Sequence, residues 1–419
     1  MKRILLAAVA LCFAATSFAQ TISPDYQDGK IWFRIKSDYR TAHSPTEDPY
    51  HLPVATVPFL DGIGKMHEFT NLSLPFHAAK TSLELQRTYL LEFSDYGQVD
   101  VIINKMRATG NIDYAERVPL DRPCLVPNDP SYSSQWHLGV INAAGAWNYF
   151  SSGSTIKIAI VDDAMERTHS DLSPNLWVNP GEIASNGIDD DGNGYIDDIN
   201  GYDVGSNDNN PNPPNSSYSH GTHVAGCASP ATNNNVGVAG IGFSCKLMAV
   251  KSTTSASVIT NGYDGIVYAV VSGADVINMS WGGTGSSSTA QNIITWASNQ
   301  GCVLVAAAGN NNSSSIFYPA GYTECIAVAA TNSNDTKASF SNYGTWVDIS
   351  APGNNIYATY YGNTYANNSG TSMASPVVAG LCGLMLSLNP SLTPTDIRNC
   401  LISSATNINS MNPSYIGQL

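Results

Sequence analysis

The sequence is poor in charged residues, and poorest in basic ones. Only 12% of its 419 residues are charged, with 19 Lys and Arg against 33 Asp and Glu and a formal net charge of −14. Soluble proteins usually have about twice that charged fraction. Because no run of Lys or Arg occurs, the chain lacks the positive patch of a nucleic-acid-binding protein. The 43% of hydrophobic residues exclude a largely disordered chain. A surface rich in Gly, Asn, Ser and Thr instead of charges is typical of extracellular proteins.

Long apolar runs are also missing. Lys2 and Arg3 precede an apolar stretch over residues 4–15, which is shorter than the ~20 residues that span a bilayer. Small residues at Ser17 and Ala19 suit cleavage by a signal peptidase. A membrane anchor is the alternative, but its length argues against it. We therefore predict a signal peptide over residues 1–19, a secreted protein and no membrane insertion.

The cysteines form no CxxC pair, so neither a zinc ribbon nor a thioredoxin-type motif is supported. Of the 8 cysteines, Cys12 leaves with the signal peptide, and the remaining number is odd unless Cys124 is also removed. Two alternatives stay open. The thiols are buried and free, or export permits disulfides between neighbours such as Cys302–Cys325 and Cys382–Cys400.

The first part of the chain differs from the rest. Residues 20–121 hold much of the Lys and Arg and predict strands at 31–35, 89–93 and 112–117 with a helix at 98–108. This pattern indicates a small α+β unit with a βαβ element. Four prolines between residues 118 and 131 indicate a linker, which we place at residues 122–131.

From residue 139 onward, apolar runs typical of buried parallel strands alternate with helical segments. The predicted strands are 156–161, 246–250, 276–279, 303–308, 326–330 and 347–349, and the predicted helices are 143–149, 220–228, 258–272, 290–299 and 372–388. The alternation predicts an α/β fold with a doubly wound, mostly parallel sheet and helices on both faces.

Three reactive side chains fall at the ends of these elements. Asp162 follows a strand, His220 precedes a helix and Ser372 opens a long helix. Each alone fits a helix cap or a structural residue equally well. Together they form an acid, a base and a hydroxyl in the order Asp, His, Ser that subtilisin has. An esterase of the α/β-hydrolase type would need the order Ser, Asp, His and a G-x-S-x-G elbow, which is absent.

Residues from about 127 to 419 closely resemble the catalytic domain of the subtilisin-like serine proteases (subtilases, peptidase family S8). The matching segments are 158–162, 220–226, 276–283, 305–310, 340–344, 351–353 and 370–376. The resemblance implies a serine endopeptidase in which His220 takes the proton of Ser372, Asp162 orients His220, and an acyl-enzyme forms. His223 is expected to have a structural role. A catalytically dead binding module would need a missing triad member, and none is missing.

The resemblance also implies the residues that contact the substrate. Asn310 would donate to the oxyanion together with the backbone N–H of Ser372. The expected substrate-binding residues are Ser280, Trp281, Gly282, Ala307, Ala308 and Gly309. Trp281 fits pocket lining and plain packing equally well. Small residues in the walls of the primary pocket admit large substrate side chains, and these segments contain no acid that would select a basic one. We therefore expect a broad specificity or a preference for apolar substrate side chains.

Two positions depart from the family pattern. Ala164 stands where the family usually has Gly, and a positive φ there would strain it. Ser170 stands where Pro is frequent. Neither belongs to the triad, so we expect activity.

Acidic, Asn-rich loops predict structural Ca²⁺. By resemblance the first site comprises Asp129, Asp171 and Asn234, with carbonyls near Thr232, Val236 and Val238. The second is local and comprises Asp189, Asp191, Asn193 and Asp197. Its spacing begins like an EF-hand, but the twelfth position is Asn200 instead of Glu, so it is not one. A solvated acidic loop is the alternative. Asp203 and Asp208 form a weaker third candidate.

By resemblance, residues 20–121 are a prodomain that assists folding and then inhibits the enzyme, which makes the chain a zymogen acting on proteins or peptides. Position and pattern alone support this assignment. We expect autocleavage between about residues 116 and 127 and a catalytic domain over residues 132–419. Subtilase domains usually continue further, so we expect a truncation point at Leu419.

Overall fold

The computed structural model describes residues 26–41, 48–120, 125–149 and 153–419. The chain divides into two compact units, Met1–Arg122 and Pro123–Leu419, which we call the N-terminal and C-terminal units. The predicted signal peptide, Cys12 and Cys124 lie outside the described residues, as do residues 121–124 of the expected cleavage region.

The N-terminal unit contains an antiparallel sheet of four strands in the order β2-β3-β1-β4. The strands are β1 (Tyr26–Ile35), β2 (Phe69–Ser73), β3 (Thr88–Phe93) and β4 (Ile112–Pro119), and the helices are α1 (Asp61–Gly64) and α2 (Val99–Ala108). The three predicted strands and the predicted helix are confirmed. Strand β2 was missed because its polar Thr70 and Asn71 hide the alternation of a strand.

The core of this unit is apolar. Strand β1 buries every second residue, among them Ile31, Phe33 and Ile35, because successive side chains point to opposite faces. Helix α2 buries Ile102 and Met106, which stand one turn apart on one face. The strands β3 and β4 lie on either side of β1 and are antiparallel to it.

The C-terminal unit contains a seven-stranded sheet in the order β11-β10-β9-β8-β5-β7-β6, with parallel pairing throughout. Its strands are β5 (Lys157–Asp162), β6 (Gly201–Asp203), β7 (Lys246–Lys251), β8 (Val276–Met279), β9 (Val303–Ala307), β10 (Cys325–Thr331) and β11 (Ile349–Pro352). The predicted parallel sheet is confirmed. The short strand β6 carries too few apolar residues to be recognised in the sequence.

Helices cover both faces of this sheet. They are α3 (Trp136–Val140), α4 (Ala143–Trp147), α5 (His220–Ala228), α6 (Gly262–Val271), α7 (Ser288–Asn299), α8 (Thr371–Leu388) and α9 (Pro394–Ser404). In β5, Ile158 and Ile160 pack in the apolar cluster that contains α5 and α8, whereas Ala159 and Val161 pack in the cluster with α6 and α7. A hairpin of β12 (Ile356–Tyr360) and β13 (Thr364–Asn368) completes the unit.

Helices α3 and α9 and the hairpin were not predicted. Among the described residues, α8 is the one helix long and apolar enough to cross a membrane, but 78% of it is buried inside the unit. It is therefore the central core helix. Part of the predicted linker also belongs to this unit, because the N–H groups of Leu125 and Asn128 donate to Asn148 (2.9 Å) and Asn233 (3.1 Å).

The suggested disulfides are wrong. The six described cysteines are all free: Cys227, Cys245, Cys302, Cys325 and Cys382 are buried, and Cys400 is exposed. The Sγ of Cys302 donates to the carbonyl of Ala274 at 3.0 Å instead of facing Cys325. Burial raises the pKa of Cys302 to about 12 and of Cys382 to about 12, so both are inert thiols in an apolar core.

Candidate active site

The predicted acid, base and hydroxyl line one cavity of ≈ 640 Å³ at the carboxyl ends of the strands. Asp162 is the last residue of β5, His220 the first of α5 and Ser372 the second of α8. The carboxylate Oδ1 of Asp162 lies 2.7 Å from Nδ1 of His220. Elements from three distant parts of the chain thus bring the three side chains to one edge of the sheet.

The charge of Asp162 controls the ionisation of His220. Burial lowers the pKa of the imidazole, but the charge of Asp162 and its hydrogen bond outweigh burial and raise that pKa to about 9. Asp162 is 1% exposed, whereas the His220 side chain keeps 38% of its surface exposed. The pair therefore consists of a buried carboxylate behind an accessible imidazole, which stabilises the imidazolium.

Asp163 is a second buried carboxylate beside Asp162, and the sequence had not singled it out. Its Oδ2 accepts from the N–H of His220 (3.1 Å) and its Oδ1 from the N–H of Gly221 (2.7 Å), so it caps α5 from across the chain. Burial and the charge of Asp162 raise the pKa of Asp163 to about 7. A Cβ on Gly221 would lie 2.2 Å from the carbonyl oxygen of Ala164, so only glycine fits this approach.

Ser372 is fixed to the segment after β8 by a reciprocal pair of hydrogen bonds. Its hydroxyl donates to the carbonyl of Ser280 (3.1 Å), and the hydroxyl of Ser280 donates to the carbonyl of Ser372 (2.9 Å). That carbonyl lacks its helical partner because Pro376, four residues later, has no N–H. To give its proton to His220, the Ser372 hydroxyl would have to turn away from Ser280, an adjustment common when a substrate binds.

Asn310 follows β9 with its amide held in one orientation. Its Oδ1 accepts from the N–H of Thr371 (2.8 Å) and from the Thr371 hydroxyl (3.0 Å), which leaves Nδ2 as the free donor. The hydroxyl of Thr371 also accepts from the N–H of Gly309 (3.0 Å). Thr371, which the sequence had not indicated, therefore ties the end of β9 to the start of α8.

Most of the predicted substrate-binding residues line the cavity, namely Ser280, Trp281, Gly282, Ala307 and Gly309. Trp281 combines pocket lining with a packing role. It lines the cavity, and its Nε1 donates to the carbonyl of Val161 (2.9 Å). Ala308 is not part of the wall. It is fully buried, and its N–H and carbonyl are bonded to Val328 and Asn342.

His223 has the expected structural role. Its Nε2 donates to the carbonyls of Ile356 (3.1 Å) and Ala366 (3.0 Å) in the hairpin. Burial lowers the pKa of His223 to about 4, which keeps the ring neutral. It therefore fixes the hairpin to α5.

The two departures from the family pattern are accommodated. Ala164 is not among the residues with a positive φ, so the strain that was considered does not arise. At Ser170, the backbone N–H and the hydroxyl both donate to Oδ1 of Asn363, at 2.8 and 2.9 Å. Proline could make neither bond, which explains why serine is suited to this position.

The first predicted cation group is assembled from three parts of the unit. Asp171 accepts from Nδ2 of Asn234 (2.8 Å) and from the N–H of Val238 (2.7 Å), whereas Oδ1 of Asp129 is buried without a hydrogen-bond partner. Burial raises the pKa of both carboxyls, that of Asp171 to about 6. An orphaned buried carboxylate oxygen among oxygen donors fits a hard cation such as Ca²⁺.

The second group differs in part from the prediction. Ligand atoms of Glu182, Asp189 and Asp191 lie within 4.8 Å of one another, a spacing that one ion could bridge. Glu182 was missed because it precedes the acidic motif by seven residues and no local spacing connects the two. Asp197 is not in this group, since its oxygens accept from the N–H groups of Asn186 and Gly187. Asn193 donates its Nδ2 to Asp191 (3.3 Å).

The third candidate is wrong. Asp203 forms a buried ion pair with Lys251, which stands on the neighbouring strand β7. The cation that offsets Asp203 is therefore a lysine, and Asp208 interacts with Asp203 only through a backbone bridge.

Comparisons with known proteins identify the family. The model of the Subtilase family matches residues 153–416. The thermophilic serine proteinase of Bacillus sp. (strain AK1) is 40% identical over 70% of this chain and 67% of its own length. Thermitase of Thermoactinomyces vulgaris is 41% identical over 67% of this chain and 92% of its own.

A solved structure of a protease from Pseudoalteromonas arctica PAMC 21717 has a TM-score of 0.59 and 31% identity and covers 68% of this chain and 94% of that chain. The fold, the site and these relatives agree: the chain belongs to the subtilase family and is a serine-type endopeptidase.

Proposed function

We propose that Ser372, His220 and Asp162 are the catalytic triad of this endopeptidase. The observation that carries the proposal is the 2.7 Å hydrogen bond from His220 to buried Asp162 in the cavity that Ser372 also lines. The Ser372 oxygen attacks the peptide carbonyl while Nε2 of His220 takes its proton. His220 then gives a proton to the leaving amine, and water hydrolyses the acyl-enzyme by the same steps.

Asn310 and the N–H of Ser372 stabilise the oxyanion of each tetrahedral intermediate. Support comes from the Thr371 contacts, which fix Asn310 so that only Nδ2 points away as a donor. A donor that is already oriented costs no reorganisation when charge develops. In subtilisins, loss of one such donor lowers turnover by about 10²–10³-fold.

The substrate is a protein or peptide in extended form that adds to the segment Ser280, Trp281 and Gly282 like a strand. The three residues border the cavity beside Ser372. A segment that binds the substrate backbone beside the nucleophile favours peptidase activity over esterase activity. Hydrolysis of casein compared with a simple ester separates the two.

Structural Ca²⁺ is held by two groups, one with Asp129, Asp171 and Asn234, and one with Glu182, Asp189 and Asp191. The buried, unpartnered Oδ1 of Asp129 and the close carboxylates of the second group support this assignment. The ion would offset like charges and fix the loops; it takes no part in the reaction.

The protein is secreted as a zymogen. The basic and apolar pattern of residues 1–19 supports export, and the separate compact N-terminal unit supports a prodomain over residues 20–121. The resemblance to subtilases assigns this prodomain the inhibition of the catalytic unit, followed by self-cleavage between about residues 116 and 127.

The proposal is tested by labelling with a serine-directed fluorophosphonate. We expect labelling and casein hydrolysis in the wild type, and neither in Ser372→Ala. The control is Ser369→Ala, three residues earlier, whose hydroxyl donates to Asn354 outside the cavity. Ser372→Ala should also stay at precursor length on a gel. Processing of this variant to two bands would exclude self-cleavage, and labelling of it would exclude Ser372 as the nucleophile.

A further inference from the structure

A single aromatic ring lies against both walls of the expected primary pocket. An ideal Cβ on Gly282 would lie 2.5 Å from Cε1 of Phe317, and one on Gly309 would lie 3.0 Å from Cγ of the same ring. Gly282 follows β8 and Gly309 follows β9, so the two glycines belong to the two opposing walls. The half-buried ring of Phe317 therefore lies in the space between them.

The backbone around Phe317 holds the ring in this place. The next residue, Tyr318, forms an antiparallel bridge with Gly283, whose N–H and carbonyl bond to it at 2.8 and 2.7 Å. The carbonyl of Phe317 accepts from the N–H of Gly321 at 2.8 Å. Because both sides are bonded, the backbone of Phe317 cannot retreat from the wall without breaking the bridge.

Both glycines also lack the side chain that would keep the ring out. Any larger residue at Gly282 would clash with the ring and with the carbonyl of Tyr318, which lies 2.3 Å from the ideal Cβ. The narrow space is thus already filled by a side chain of this protein, and little depth remains for a large side chain of the substrate.

We infer that Phe317 is a specificity-determining residue that closes the deep part of the primary pocket, so that the enzyme prefers a small residue such as Ala on the acyl side of the scissile bond. This inference rests on the proposed peptidase function of the same site. It also replaces the expectation of a broad or apolar preference, which considered only the small walls and not what lies between them.

The test uses tetrapeptide p-nitroanilides that differ only in the last residue, which is Gly, Ala, Leu or Phe. We expect the wild type to favour Ala over Phe in kcat/KM by at least about tenfold, since a misfit of even one methylene in an apolar pocket changes kcat/KM by about 10–200-fold. Phe317→Ala should raise kcat/KM for the Phe substrate by a similar factor and leave the Ala substrate nearly unchanged. Phe317→Leu should be intermediate.

Ile316→Ala is the matched control, because Ile316 is the neighbouring apolar residue and is 43% exposed. Its Ala-to-Phe ratio should equal that of the wild type. Rates are divided by the number of sites that a fluorophosphonate labels, which separates altered specificity from misfolding. If Phe317→Ala does not label, the wild-type profile and Phe317→Leu decide the question.

Two results would overturn the inference while the peptidase function stands. The wild type could have equal kcat/KM for the Phe and Ala substrates, or the Phe317 variants could have the same Ala-to-Phe ratio of kcat/KM as the wild type. A wild type that is not labelled and cleaves none of the four substrates would instead overturn the proposed function.

Discussion

The N-terminal unit buries few polar side chains and no acids among its described residues, whereas the C-terminal unit buries a whole set of carboxyl groups. In the first unit the buried polar side chains are Thr56, His67, Ser73 and Thr88. In the second the buried acids are Asp129, Asp162, Asp163, Asp171, Glu182, Asp197, Asp198 and Asp203. A buried carboxylate is costly unless a cation or hydrogen bonds offset its charge.

The difference indicates where function is built into the fold. The N-terminal unit is held together by an apolar core, and the ion pairs of its lysines and arginines lie at or near the surface, as between Arg117 and Asp100. In the C-terminal unit some buried acids depend on a particular charged partner, such as His220 for Asp162 and Lys251 for Asp203. Removing a partner should therefore have a large effect in the second unit and a small one in the first.

The largest effect should follow from Asp162→Asn. An amide can neither stabilise the imidazolium nor select the right tautomer of His220, so we expect kcat to fall by about 10⁴-fold, as in serine proteases with this change. Catalysis needs neutral His220, whose pKa is raised to about 9. Wild-type kcat/KM should therefore rise with pH until about pH 9.

Without the Asp162 charge, the imidazole loses its proton at lower pH. The rise of kcat/KM with pH should therefore occur at lower pH in Asp162→Asn than in the wild type. The measurement is kcat/KM against pH, with Asp264→Asn as the control, since Asp264 is an exposed acid of the same unit. If kcat/KM of Asp162→Asn rises over the same pH range as that of the wild type, another group raises the pKa of His220.

Lys251→Met should cost about 3–5 kcal/mol in the free energy of unfolding, because it leaves Asp203 buried without its cation. Lys251 and Asp203 are 5% and 3% exposed. Urea unfolding in the inactive Ser372→Ala background measures the loss without self-digestion. Adding Asp203→Asn should recover most of it, since the amide oxygen can still accept from Gly205 and Ser206. No recovery would mean that packing, not charge, explains the loss.

Removal of Ca²⁺ should destabilise the C-terminal unit. A ligand that binds only the folded state at 100 times its Kd contributes about 2.7 kcal/mol. We expect a chelator to lower the melting temperature of the wild type by several degrees, and Glu182→Gln to reduce that difference. Asp335→Asn, at a half-buried acid outside both groups, is the control. An equal melting temperature with and without chelator would contradict the cation assignment.

The sequence could predict those parts of the site that are local in the chain. Asp162, His220 and Ser372 were identifiable because each ends or begins an element with a strong apolar pattern. Asp163, Thr371 and the ring of Phe317 could not be recognised, since each acts on a residue at least 35 positions away along the chain. Likewise, β2 and β13 are polar strands whose pairing is a tertiary property.

The smallest effect should come from the exposed ion pair of the N-terminal unit. Arg117 bonds to Asp100 at 3.3 and 2.8 Å, but the Asp100 side chain is 72% exposed, so water and salt screen the pair. We expect Asp100→Asn to cost no more than about 1 kcal/mol in urea unfolding of the Ser372→Ala protein. The loss should shrink further in 0.5 M salt, to roughly the error of the measurement, because the Debye length falls to a few Å. A loss as large as that of Lys251→Met would show that the N-terminal unit also depends on specific polar partners, and the contrast between the two units would then rest on burial of acids alone.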